Sequence, residues 1–228
     1  MNDGRGRDTE LAGLARRIDL HQHVERTTLL LQLGIERLRH AQAVEGLEFA
    51  GEARRVPGLV GLQVADQHPA QVGQVGDRAQ VVLVTEKGAG PARNGAFAAS
   101  KGEVLAFIDS DCVAEPQWLV EGVKGLDRFD LVGGRVGVLV SDPQRMTPSE
   151  AFERVFAFDF KTYIEKKGFT GAGNMFCRRE LFERVGGFRV GMSEDVEWSR
   201  RAVSMGARLG YVPAAAIGHP ARHLVDQL

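Results

Sequence analysis

Five apolar residues, Val104-Leu105-Ala106-Phe107-Ile108, run straight into Asp109-Ser110-Asp111, and no other stretch constrains the fold of this chain as much. A short, wholly apolar run of this kind is a strand buried on both faces. Such strands belong to sheets covered by helices on each side. Carboxylates at the strand's carboxyl end then stand where open α/β sheets bind their ligands. Val81-Val82-Leu83-Val84 reads as a second buried strand, and Pro91 fits the first turn of a helix reaching about Ser100. Pro116 opens another helix to about Leu126, and Leu131 to Val140 is a strand interrupted at Gly133-Gly134. The alternation predicts an α/β layered fold with a mainly parallel sheet.

Further along, Thr147-Pro148-Ser149-Glu150 forms a capping box with proline at the first helical turn. The helix it opens carries Phe152, Val155, Phe156 and Tyr163 on one broad face and ends at Gly168. Packing into the core is the expected role of that face, with contact to a membrane surface or a lipid-linked molecule as the alternative. Glu180 to Val185 is a short helix stopped by Gly186-Gly187. Ser193 caps another that runs to Met205, with Glu197 placed to pair with Arg200 or Arg201.

Residue usage changes along the chain. Every aromatic except Phe49 lies between Phe97 and Tyr211, and no lysine precedes Lys87. Residues 10–55 space Leu11, Leu14, Ile18, Leu29, Leu33 and Leu38 roughly as a helix would, weakened at Gly34 and Gly46. Residues 56–80 alternate Val or Leu with small and polar residues. His21, His23, His40 and His68 have no metal-ligand spacing and read as solvated. Residues 1–80 are therefore expected to be an atypical, partly helical or poorly ordered segment, and residues 81–228 to hold the site. The formal net charge of −1 excludes a strongly basic nucleic-acid binder. No apolar run approaches the roughly 20 residues of a membrane span, and the first ten residues lack a secretory leader. Cys112 and Cys177 make no disulfide framework, which points to a reducing, cytoplasmic compartment.

Several residues could carry chemistry. Asp109 and Asp111, alternating across Ser110, can hold a hard divalent cation by oxygen, or can form a solvated acidic turn that caps the next helix. Glu194-Asp195 opens a helix, where ionised carboxylates are favoured; the pair is ordinary end charge or, facing a cleft, a general base. Gly171-Ala172-Gly173-Asn174 allows close approach to a substrate or serves a tight turn. Arg93-Asn94 near a helix start contacts phosphate or caps locally. His219, before Pro220, is a surface histidine or completes a metal site.

Taken in order, these pieces resemble the family 2 glycosyltransferases of the GT-A fold, a Rossmann-like sheet that binds nucleotide-diphospho-sugars. The resemblance runs from about Val81 to Arg222. It covers Gly90 to Asn94, Gly102 to Asp111, Asn174 to Arg179, Phe182 to Phe188, Ser193-Glu194-Asp195 and His219-Pro220. It implies that Asp109 and Asp111 form the DXD motif binding nucleotide and Mg²⁺ or Mn²⁺, with Asp111 the direct ligand. It also implies that Asp195 is the catalytic base with Glu194 its companion, and that Arg93 and Asn94 border the nucleotide. The implied reaction is transfer of a sugar, with inversion, to the hydroxyl of a carbohydrate or lipid-linked acceptor. No nucleic-acid partner is expected, and contact with the inner face of the membrane is peripheral. Family members begin with an apolar strand ending in a Pro-x-Tyr-Asn type turn, followed by a strand ending in an acidic residue. Residues 1–80 show neither, so the front of the nucleotide-binding sheet is expected to be missing or replaced. Two other readings fit an apolar strand into Asp-x-Asp. One is a haloacid-dehalogenase-type phosphatase with Asp109 as nucleophile and a downstream lysine among Lys161, Lys166 and Lys167; the other is a degenerate domain without catalysis.

Overall fold

The computed structural model describes residues 27–32, 59–63, 80–82, 84–109, 111–140 and 142–221. They build one eight-stranded sheet covered by helices. Its strands are β1 (Thr27–Gln32), β2 (Leu59–Gln63), β3 (Gln80–Val82), β4 (Val104–Asp109), β5 (Val113–Ala114), β6 (Leu131–Leu139), β7 (Asn174–Arg178) and β8 (Leu209–Pro220). The helices are α1 (Ala89–Ala99), α2 (Trp118–Gly125), α3 (Pro148–Phe156), α4 (Phe160–Lys167), α5 (Arg179–Val185) and α6 (Glu194–Ser204).

The strand order is β3-β2-β1-β4-β7-β6-β8-β5. The first four strands run parallel, as does the pair β6–β8, but β7 runs antiparallel to both neighbours. The sheet is thus mixed, where the sequence suggested a mainly parallel one. β4 is buried along most of its length because its two faces serve two cores. Val104, Ala106 and Ile108 pack with Trp118, Val123, Phe176 and Ile217 beneath α2. Leu105 and Phe107 pack with Met175, Phe182, Phe188 and Trp198 beneath α1, α5 and α6. The side-chain period of two in a strand divides one five-residue run between both layers. Strand order reverses between β1 and β4, and Asp109 ends β4 opposite Gln32. Ligands of open α/β sheets bind at such a switch point.

Three expectations need correction. The first concerns the front of the sheet: Thr27–Gln32, within the span expected to be helical, is a strand that pairs with β4 along its length. β2 and β3 extend the sheet further in the same direction. Thr27-Thr28 and the consecutive leucines 29–31 suit a strand, and pairing with β2 and β4 overrides weak helical spacing. The front of the sheet is present; the rest of the proposed 10–55 helix lies outside the described residues, as do His21, His23, His40 and His68.

The second correction concerns the aromatic helix, which is two helices. Asp159 caps α4 by accepting from the Thr162 amide at 3.1 Å, and Phe158 takes a left-handed backbone with φ 59° between them. The third concerns which face of α3 is inside. Phe152, Val155 and Phe156 are 64%, 71% and 66% exposed, whereas Glu150 and Glu153 are buried at 4% and 6%. The capping box at Thr147 is formed as expected, with Glu150 Oε2 accepting from the Thr147 amide at 2.8 Å. That bond draws Glu150 inward, and Glu153, one turn on, shares its face.

Candidate active site

β4 delivers Asp109 to the sheet's switch point, and Gly173, just before β7, comes close beside it. A side-chain carbon at Gly173 would stand 2.6 Å from Asp109 Oδ2, so any larger residue there would push the Asp109 carboxylate aside. The same turn reaches Asp195: the Ala172 amide donates to Asp195 Oδ2 at 3.3 Å. Asp195 Oδ1 accepts from the Val196 amide at 2.8 Å, at the amino end of α6. Asp109, Asp195, Gly171, Gly173 and His219 thereby line one cavity of about 810 Å³.

Charge in the site is arranged around Arg93. Its guanidinium is 7% exposed and donates to Asp109 Oδ1 at 2.9 Å and to Glu194 Oε1 at 2.7 Å. A planar fork suits two carboxylates at once. Arg93 thus joins the end of β4 to the start of α6 across the site. Burial raises the Asp195 carboxyl above the ordinary aspartate range, and the neighbouring Glu194 adds to the effect; the two backbone amides and Arg93 oppose it. A carboxylate destabilised in this way is a stronger base.

On the far side of the cavity, β8 brings His219 to Asp111, with Nε2 3.2 Å from Oδ2. His219 Nδ1 lies 2.6 Å from the Pro220 carbonyl, which can only accept, so Nδ1 carries a proton. Nε2 therefore faces the Asp111 carboxylate either as a protonated donor or as a lone pair with a cation between them. Burial pulls the imidazole pKa down, but the hydrogen bond and charge of Asp111 outweigh it, and the net shift is upward. Phe158 packs its ring on His219, centroids 4.6 Å apart. The left-handed backbone at Phe158 is therefore held where its ring supports the site. Asp111, Cys112 and His219 bring oxygen, sulfur and nitrogen atoms within 4.8 Å of one another, a group able to hold a metal ion. Burial, then Asp109 and Asp111, pushes the Cys112 thiol pKa up.

Some sequence candidates take other positions. Asn94 is a tie: its Nδ2 donates to the Phe188 carbonyl and its Oδ1 accepts from the Phe188 amide, both at 2.8 Å. Asn174 is fully buried and does not reach the cavity. Its Nδ2 donates to the carbonyls of Arg135 and Ala215, and its Oδ1 accepts from Trp118 Nε1 at 2.8 Å. Its hydrogen-bonding capacity goes to joining β6, β7, β8 and α2. Arg93 faces carboxylates, so its position serves the site's internal charge balance. Asp109, committed to Arg93, stands outside the group formed by Asp111, Cys112 and His219.

Sequence reasoning overlooked Cys112 as a site residue, although its place beside Asp111 was a signal. Phe152, Phe156, Phe158 and Phe160 line the cavity and fall in the aromatic stretch for which contact with a lipid-linked molecule is the alternative to core packing, whereas Glu153, in the same lining, was overlooked. Nothing in the sequence marks a buried glutamate or an outward aromatic face.

The layered mixed sheet is a GT-A fold. Solved structures with this fold include GalNAc-T7 with UDP, GalNAc and Mn²⁺, at TM-score 0.63 and 16% identity, covering 87% of this chain and 44% of that one. They also include the mannosyltransferase PcManGT from Pyrobaculum calidifontis in complex with GDP-Man and Mn²⁺, at TM-score 0.60 and 19% identity, covering 85% and 56%. The chain belongs to glycosyl transferase family 2, whose sequence pattern matches residues 63–189. It is 32% identical over 151 residues to glycosyltransferase AglE of Haloferax volcanii, covering 64% of this chain and 49% of that protein. It is 30% identical to pre-mycofactocin glycosyltransferase of Mycobacterium tuberculosis, covering 60% and 31%. The chain thus spans half or less of the length of these relatives.

Proposed function

We propose that this chain transfers a sugar from a nucleotide-diphospho-sugar to an acceptor hydroxyl with inversion, and that Asp195 is the base. The observation that carries the reading is the convergence of Asp109, Asp195 and His219 on one cavity, with Asp195 held by two backbone amides. Asp195 accepts the hydroxyl proton as the acceptor oxygen bonds to the anomeric carbon. The bond from that carbon to the diphosphate breaks, and its electron pair leaves with the nucleoside diphosphate. Glu194 and Arg93 keep the amino end of α6 in place beside this step, and Asp109 faces the nucleotide from the end of β4.

The carboxylate and imidazole of Asp111 and His219 suit Mg²⁺ or Mn²⁺, and the facing of Nε2 and Oδ2 calls for positive charge between them. Held by Asp111 and His219, such an ion would supply positive charge toward the departing diphosphate. The Mn²⁺ and nucleotide sugars in the two structural relatives support this choice.

On the acceptor side, α3 supports a lipid-linked molecule over a free sugar. Phe152 and Phe156 line the cavity and also face outward beside Val155, so an apolar chain can lie along them while its hydroxyl reaches Asp195. No described helix is long and apolar enough to cross a membrane, and an aromatic helix face suits contact with a bilayer surface. The two buried free cysteines agree with a cytoplasmic location.

The phosphatase alternative lacks the arrangement it requires. Asp109 is engaged by Arg93, and Lys161, Lys166 and Lys167 project from exposed positions of α4. Calorimetry of the full chain with UDP- and GDP-sugars and Mn²⁺ tests the leading reading. Metal-dependent binding that is lost in Asp111→Asn supports it. Phosphatase turnover, or no nucleotide binding at all, refutes it.

A further inference from the structure

We infer that Cys112 Sγ is the third protein ligand of the cation site, completing an oxygen, nitrogen and sulfur set with Asp111 and His219. The inference rests on the reading of those two residues as cation holders and adds a ligand to them. Three observations carry it. Sγ stands 3.9 Å from Asp111 Oδ1 and within 4.8 Å of the His219 ring nitrogen. Cys112 is buried yet lines the same cavity as Asp109 and His219. The neighbouring carboxylate, Asp109, turns its Oδ1 to the Arg93 guanidinium at 2.9 Å and stands outside the group.

The backbone fixes where Cys112 enters the site. The Cys112 amide donates to the Asp109 carbonyl at 3.0 Å, closing a tight turn at the end of β4, and β5 begins at the next residue. The turn sets the Cys112 Cα beside Asp111, and burial of the residue at 4% exposure limits the room its sulfur has to turn.

A set with one sulfur changes which ion is held best. Magnesium demands oxygen ligands in near-ideal octahedral geometry, whereas zinc, cobalt and cadmium accept nitrogen and sulfur readily. The site accordingly binds Zn²⁺, Co²⁺ and Cd²⁺ more tightly than Mg²⁺ or Mn²⁺. Coordination takes the sulfur as thiolate, with its proton released to solvent.

Cobalt titration of the full, reduced chain tests this, run alone and with UDP or GDP present. The expected result is a thiolate-to-cobalt charge-transfer band in the near ultraviolet. Cys112→Ser should remove that band and weaken Zn²⁺ binding by at least about tenfold, while changing Mn²⁺ binding much less. Cys112→Ala, which brings no hydroxyl into the core, should do the same. Cys177 remains in every variant, buried in the opposite core layer, and so serves as an internal control. Cobalt bound without the band, or a band that persists in both variants, overturns the inference but leaves the Asp111–His219 site standing. No cobalt bound with or without nucleotide overturns both.

Discussion

Asp195 illustrates how one side chain sets both reactivity and stability. Its pKa is raised by burial and by Glu194. A base must be ionised, so kcat/KM should fall as pH drops through this raised value, and the acid limb should lie above the ordinary aspartate range. The stability effect runs the other way. The folded carboxyl keeps its proton to higher pH than the unfolded one, so its favourable contribution is complete below the unfolded pKa and is lost as pH rises through the folded value. Asp195→Asn should therefore flatten the pH dependence of Tm, measured calorimetrically, while lowering kcat by roughly 10²–10⁴-fold with sugar-nucleotide affinity retained. Undiminished transfer in that variant would remove Asp195 as the base. Arg93 behaves differently, because it is a buried cation between two carboxylates. Arg93→Met leaves Asp109 and Glu194 unneutralised and should cost about 3 kcal/mol in urea unfolding, near the low end for broken buried pairs because both carboxylates keep some exposure. Arg93→Lys should recover only part of that loss, since an ammonium cannot bridge two carboxylates as a planar fork does.

Among the elements, α3 departs furthest from the usual rule for a helix on a soluble domain. Its capping box and proline make the helix start legible in the sequence, but they carry no information about which face turns inward. Phe152 and Phe156 pack against each other as tilted rings with centroids 4.8 Å apart while both remain exposed. Replacing both by serine should leave urea stability within about 0.5 kcal/mol, as for surface positions generally. The same variant should lose sedimentation with anionic lipid vesicles and show a higher KM for a lipid-linked acceptor at similar kcat. A drop of several kcal/mol in stability would instead make the pair part of the core. β4 is the opposite case: its five apolar residues foretold a strand buried on both faces, and both cores are built on it. The short strand β3 was legible only in part, because Val81-Val82 gains its identity by pairing with β2.

At the scale of the molecule, the sheet does not stop where residue usage changes. β1 covers the edge of β4, and β2 and β3 extend beyond it. A chain beginning at residue 81 would expose the hydrogen-bonding edge of β4, a template for association with other chains. That truncation should aggregate on refolding, read by light scattering, whereas the full chain should not; a monodisperse, folded truncation would make β1 dispensable. The sequence by itself determined the central strand, most helices of the later part, the acidic residues at the strand end and the helix that begins at Glu194-Asp195. These follow from local periodicity, capping and turn chemistry, which act over a few residues. Tertiary structure alone decided that Arg93 neutralises Asp109 and Glu194, that Asn174 is sealed among four elements, that Cys112 stands beside Asp111 and His219, and that α3 turns its aromatics outward. Each joins residues far apart in the chain or depends on what packs against a surface, and only the closed sheet brings those partners together.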